Sequence, residues 1–355
     1  MALCSHDRRY SFPFFGFTTG SERSIWRKSF FIPATSFRVG IRCSGDFSTR
    51  LRGSVMTLPE VNSLYPTNDR CRELLERLRW PEGVMCPRCK DTRVSRLRDY
   101  ARYECVGCEY QFTATSGTIF HDSHLPLPIW FVAVLLLCEA KKGMSAMQLK
   151  RTLWGKDRGS YKTAWYLCHR IRAAMSEVRT MMDGTIEIDE TYIGGRAQGV
   201  GSGNKDNKAM VIGIIQRQGD LKFIHCKDRP KEAIRKALQE HVSEDVDVIV
   251  TDESILYHNN LGSHQEKRQS VNHRAKEYVR YEDGFMVTTN TVESAFSLFK
   301  RGIVGSWHKV SPKHLAAYLN EMTFRFNRRK RSDLFIDTLR HMVTADPLTF
   351  ENLTA

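Results

Sequence analysis

Three carboxylates and a lysine carry the chemistry legible in this chain. They are Asp189 in GTIEIDETYIGG, Asp252 in VDVIVTDES, and Glu293 with Lys300 in TNTVESAFSLFK. Both aspartates sit within or at the end of apolar, β-branched runs that read as strands, and Glu293 opens a helical stretch. Two strand aspartates and one helical glutamate can converge on a pair of divalent ions, Mg²⁺ or Mn²⁺, about 3.5–4 Å apart. That device cuts and joins phosphodiesters: one ion activates the attacking water or 3′-hydroxyl, the other stabilises the leaving oxygen. Glu187 and Asp189 fall on one face of their strand, because side chains alternate. Glu293, Ser297 and Lys300 fall on one face of their helix, so Lys300 could hold a phosphate beside the metals as a point charge. Asn290, one turn earlier, is the rival to Glu293 as an oxygen ligand, or a partner behind it. Each carboxylate taken alone reads equally well as a surface charge or a cap.

A second metal site lies upstream. CPRC at 86–89 and CVGC at 105–108 are separated by fifteen residues. Each pair puts two thiolates on a tight turn, and two such turns make a closed tetrahedral site for Cys86, Cys89, Cys105 and Cys108. Zinc in a structural role fits, and iron is its competitor. No ligand position is left for water, so chemistry is not expected there. The remaining cysteines of the ten are scattered, which fits a reducing compartment. Around the site, Arg88, Lys90, Arg93, Arg96, Arg98 and Arg102 suit phosphate contact. A ribbon that docks protein is the alternative.

The elements that must position these residues follow from periodicity. NDRCRELLERLRW reads as a short helix with Leu74, Leu75 and Leu78 in its stripe. Pro126 and Pro128 open a helix that Gly143 can close. Ser145 with Gln148 is a capping-box pattern, and Ser160 caps YKTAWYLCHRIRAAMSEV. This pair of helices resembles a helix-turn-helix, with Lys162, Arg170 and Arg172 as candidate DNA contacts. A plain helical linker is the alternative, since the connection is long for that motif. From Gly184 the period changes to strands, in the order β-β-β-α-β-(β)-α-α, with a short edge strand near Ser270. That order suggests a mixed sheet with helices on its faces.

Composition agrees with a polyanionic partner. The chain has 355 residues and a formal charge of +14, from 54 basic and 40 acidic side chains. Lys300, Arg301, His308, Lys309, Arg328 and Arg329 continue a basic run beyond Glu293 that suits a DNA backbone. The longest apolar run, from Ile129 to Cys138, is too short to span a bilayer. Residues 1–55 are Arg-rich and acid-poor and show no persistent amphipathic period. A misassigned start upstream of Met56 is favoured over an organellar targeting segment.

Together, CPRC…CVGC, IDETYIGG, TDES, NTVESAFSLFKRGIVGSWHKVS and YLNEMTFRFNRR resemble the zinc-ribbon insertion-sequence transposases of bacteria. The resemblance covers about Leu58 to Arg331. It implies an α/β, RNase H-like mixed sheet flanked by helices, preceded by a small zinc ribbon and a helical region. It implies the family's two aspartates at Asp189 and Asp252, its third acid at Glu293 and its trailing lysine at Lys300. Some members use asparagine as the third ligand, which keeps Asn290 open. The expected organisation is a basic extension at 1–55, a helical lead-in at 56–80 and the ribbon at 81–120. A helix-turn-helix-like DNA-binding linker at 125–180, the catalytic domain at 184–331 and a tail at 332–355 would follow. The implied activity is binding of terminal inverted repeats, then metal-dependent DNA cleavage and strand transfer. Its partners would be double-stranded DNA and at least a second copy on DNA, in the cytoplasm, with no membrane. A DNA-binding descendant without cleavage, or a nuclease without strand transfer, are the competing functions.

Overall fold

The structure is a computed structural model, and its described residues are 55–98, 101–177, 181–194, 208–227, 229–282 and 284–355. The basic extension before Val55 and nearly all of the Gly- and Lys-bearing loop at 196–208 lie outside them. Two short helices lead in, α1 (Leu58–Leu64) and α2 (Asn68–Arg79). The ribbon follows as three antiparallel strands, β1 (Val94–Arg96), β2 (Tyr103–Cys105) and β3 (Gln111–Phe112). Trp80, Tyr103 and Phe112 pack ring on ring beneath it.

Helices α3 (Leu127–Glu139), α4 (Ala146–Trp154) and α5 (Tyr161–Ala174) come next. Ser145 accepts the Gln148 amide at 3.1 Å and Ser160 the Lys162 amide at 3.2 Å, so both serines act as caps. Their core is shared with the C-terminus. Leu74, Phe131, Val134, Leu167 and Ile171 cluster with Phe335, Leu339 and Met342. The residues after Arg331, a tail in sequence terms, hold α9 (Leu334–Thr344) and α10 (Phe350–Thr354), and α9 is buried along its apolar side.

The remaining strands form one mixed sheet. They are β4 (Thr185–Ile193), β5 (Ala209–Gln216), β6 (Leu221–Cys226), β7 (Val248–Asp252) and β8 (Arg268–Val271). The order is β6-β5-β4-β7-β8, antiparallel through β4 and parallel beyond it. Because side chains alternate, each face has its own core. Ile186, Ile188, Ile212 and Ile214 bury against α6 (Pro230–His241). Val211, Ile215 and Phe223 bury against α7 (Asn290–Gly302) and α8 (Pro312–Asn327). A hairpin of β9 (Arg280–Glu282) and β10 (Phe285–Val287) precedes α7. This is a mixed sheet flanked by helices in the RNase H-like arrangement, preceded by a cysteine cluster of zinc-ribbon type.

Candidate functional site

The cysteine site is assembled by two matching turns. Lys90 donates its amide to the Cys86 carbonyl at 3.0 Å, and Glu109 donates to that of Cys105 at 2.9 Å. Both follow the second cysteine of their pair, and both are left-handed, with φ of 64° and 54°. The sulfurs converge: Cys86 to Cys108 is 3.7 Å and Cys89 to Cys105 is 3.4 Å. All four lie within 4.8 Å of one another. A tetrahedral zinc with bonds of about 2.3 Å requires sulfurs about 3.8 Å apart, so the donor set fits a structural zinc.

The carboxylates are brought together by different means. Asp189 and Asp252 each lie two residues beyond Glu187 and Val250, the last pair on the β4–β7 ladder. There the two parallel strands part, and the ends of such strands are where open α/β sheets place ligands. Across the ladder on the other side, Asp189 is opposite Gly213. A Cβ on Gly213 would come within 2.8 Å of Phe296 and 2.9 Å of Val292. The missing side chain lets α7 lie directly on the sheet. Asp189, Glu293, Ser297, Lys300 and Arg301 therefore line one open pocket of about 620 Å³. Burial, helped by the charges of Glu190, Asp252 and Glu293, pushes the Asp189 carboxyl up to about 7. A cluster of acids that resists its own ionisation suits a cation.

The arrangement also departs from the sequence reading. Among the described residues, the cysteines alone bring three or more ligand atoms within 4.8 Å of one another; the three carboxylates do not. Glu293 is engaged instead by His273 at 3.1 Å and by the Thr289 hydroxyl at 3.0 Å. Asn290 is exposed at the first position of α7 and does not line the pocket. His273, Thr289, Gly213 and Arg217 were not foreseen. Thr289, four residues before Glu293, was within reach of helical spacing; the other three bear no regular spacing to the acids, and only the strand pairing and the β8–α7 connection bring them near.

The basic candidates divide. Arg88, Lys90, Arg93, Arg96, Arg102, Lys162, Lys300, Arg301, His308, Lys309 and Arg329 are exposed. Arg170 and Arg172 are not available to DNA, which corrects the sequence reading. Arg170 is 4% exposed, stacks over Trp130 and bonds the His121 carbonyl. Arg172 is 1% exposed and pairs with Glu321 at 2.6 Å. Arg328 likewise turns inward to Glu177 and to Asp337. Their helical positions face the core, where a basic side chain must be neutralised by the fold.

Among the described residues no helix is long and apolar enough to cross a membrane. Comparison with known proteins agrees with the geometry. Residues 66–111 match the family model described as a transposase zinc-ribbon domain. Residues 181–327 match that of the ISXO2-like transposase domain. An uncharacterized protein in the transposable element ISH50 of Halobacterium salinarum, an archaeon, is 28% identical over 281 residues. That alignment covers 74% of this chain and 91% of the relative. The likeness thus extends beyond bacteria. With its cysteine ribbon and RNase H-like sheet in that order, the chain is similar in both regions to the zinc-ribbon, DDE-type insertion-sequence transposases.

Proposed function

We propose that the protein binds the terminal inverted repeats of a DNA element, cuts there, and joins the released ends to target DNA. The observation that carries this reading is the shared pocket of Asp189, Glu293 and Lys300 beside Asp252, in a chain with both family domains. Asp189, Asp252 and Glu293 would hold divalent cations, Mg²⁺ or Mn²⁺; bound there, the cations lower the barrier to phosphodiester attack as Lewis acids. Glu293 is preferred to Asn290 because it lines the pocket. Lys300 places its ammonium where a backbone phosphate would enter. The exposed cations of the ribbon, with Lys162, Arg301, His308, Lys309 and Arg329, would hold the duplex. The α4–α5 pair would help read the element ends. Two ends must meet before joining, so at least two copies act together on DNA, within the cytoplasm.

The test is metal-dependent cleavage and joining of a labelled element-end duplex. Asp189→Asn, Asp252→Asn and Glu293→Gln should keep end binding and lose both reactions together. Asn290→Ala should be milder than Glu293→Gln. Lys300→Ala should slow joining while metal binding persists. Near-normal cleavage by Asp189→Asn would sink the mechanism. Cleavage by the unaltered protein without any joining would make it a nuclease.

A further inference from the structure

Glu187 lies two residues before Asp189 on the same side of β4, yet it does not line the pocket. It is fully buried, and both its oxygens are taken. Oε2 accepts the amides of Thr291 at 2.9 Å and Val292 at 3.1 Å, and Oε1 accepts the Thr291 hydroxyl at 2.9 Å. Arg217 donates its Nε to Oε1 at 3.1 Å. The same guanidinium reaches the carbonyls of Met286 at 2.8 Å and Thr288 at 3.2 Å, so it also ties down the chain entering α7.

These bonds replace a local cap. The amides at the second and third positions of a helix are the ones an N-cap side chain would satisfy. Here Thr289 occupies the cap position without capping. Its hydroxyl instead donates to the Glu293 carboxylate. A carboxylate from a distant strand has taken over the cap, where the helix dipole favours it. The residue freed from that duty orients the proposed metal ligand. Glu293 is one turn further along α7, so the seating of the helix's first turn on β4 sets its distance from Asp189.

We propose that Glu187, held by Arg217, is a positioning residue that seats α7 and thereby sets the affinity of the Asp189–Asp252–Glu293 cluster for a divalent cation. The inference rests on that cluster being the cation site. Glu187 touches neither cation nor DNA and acts through Glu293. An amide that keeps its one oxygen on both helix amides must turn its NH₂ towards the Arg217 Nε–H, donor against donor, and it carries no charge to hold the guanidinium.

The experiment is a Mn²⁺ titration of the zinc-loaded full chain, read by electron paramagnetic resonance of free Mn²⁺, with melting followed in parallel. Glu187→Gln should weaken Mn²⁺ binding by about tenfold or more, the usual cost of losing a group that orients a ligand. Cleavage should fall most at limiting Mn²⁺ and recover in part at saturation, while metal-free binding to element-end DNA stays unchanged. Thr291→Val, which removes only the hydroxyl bond, should show a smaller loss in the same direction. A folded Glu187→Gln protein with unaltered Mn²⁺ affinity overturns the proposal. If Glu187→Gln fails to fold, Thr291→Val decides: weakened Mn²⁺ binding supports the proposal, and unaltered binding overturns it. Asp189→Asn runs beside them. If it too binds Mn²⁺ normally, the site reading falls and the inference with it; if Asp189→Asn alone loses Mn²⁺, only the role of Glu187 falls.

Discussion

Carboxylates are gathered in two regions of this molecule, and the gatherings differ in what neutralises them. In the helical layer, Glu321 is fully buried between Arg172 and Arg325, at 2.6 and 3.1 Å. Nearby, Asp337 and Glu177 share Arg328. Each of these three acids meets a cation supplied by the fold. On the sheet, Asp189, Glu190, Asp252 and Glu293 stand near enough for their charges to raise the Asp189 carboxyl together with its burial. Lys300 and Arg301 stay at the rim, exposed. The same residue types thus make a weld in one place and an open acidic site in the other. The ribbon belongs with the sheet in this respect, since four gathered thiols also require an outside cation.

This contrast can be broken by experiment. Cys105→Ser should have the largest effect. Structural zinc sites contribute on the order of 10 kcal/mol or more to local folding, so zinc should be lost and the ribbon become protease-sensitive. The sheet, with cores of its own, should keep its strand signal. Retained zinc would show that the thiols are not its ligands.

Glu321→Gln should come next. It leaves buried arginines without their counter-charge, at a cost of about 3–5 kcal/mol, read from the urea midpoint. A negligible shift would mean that water already reaches Arg172.

Acid should act on the same layer through His169. Its ring is 1% exposed, wedged among Trp165, His314 and Tyr318. Burial, then the charges of Arg172 and His314, holds its pKa down at about 3, against an ordinary 6.5. Because the folded value is depressed, the unfolded chain binds the extra proton first. Stability is whole above pH 6.5 and drains away as pH falls towards 3, by up to ~5 kcal/mol. His169→Gln should flatten urea stability across that range, and an unchanged slope would assign the acid sensitivity elsewhere.

The smallest effect should mark the sheet. Mn²⁺ at a hundred times its dissociation constant should stabilise the protein by about 2.7 kcal/mol, seen as a raised melting temperature. Asp189→Asn should abolish that rise, while Glu321→Gln should start lower and keep it. A metal-induced rise that survives in Asp189→Asn would put the cation elsewhere.

The elements themselves were open to a reader of the sequence. Apolar, β-branched runs marked β4, β5 and β7. Ser145, Ser160 and Pro126 marked where helices begin, and paired cysteines at fixed spacing announced the ribbon. These are local signals, set by backbone and side-chain preferences over a few residues. The Asp189, Asp252 and Glu293 motifs could likewise be named in advance. What the sequence could not assign was partnership. Arg172 and Lys162 lie on one helix and look equally basic, yet one is buried against Glu321 and the other is exposed. Nothing near Glu187 hints that it caps a helix 104 residues away. Nor does anything near Gly213 show that its missing Cβ admits α7 to the sheet. Burial and distant hydrogen bonds depend on which surfaces meet, and that is decided only when the whole chain packs.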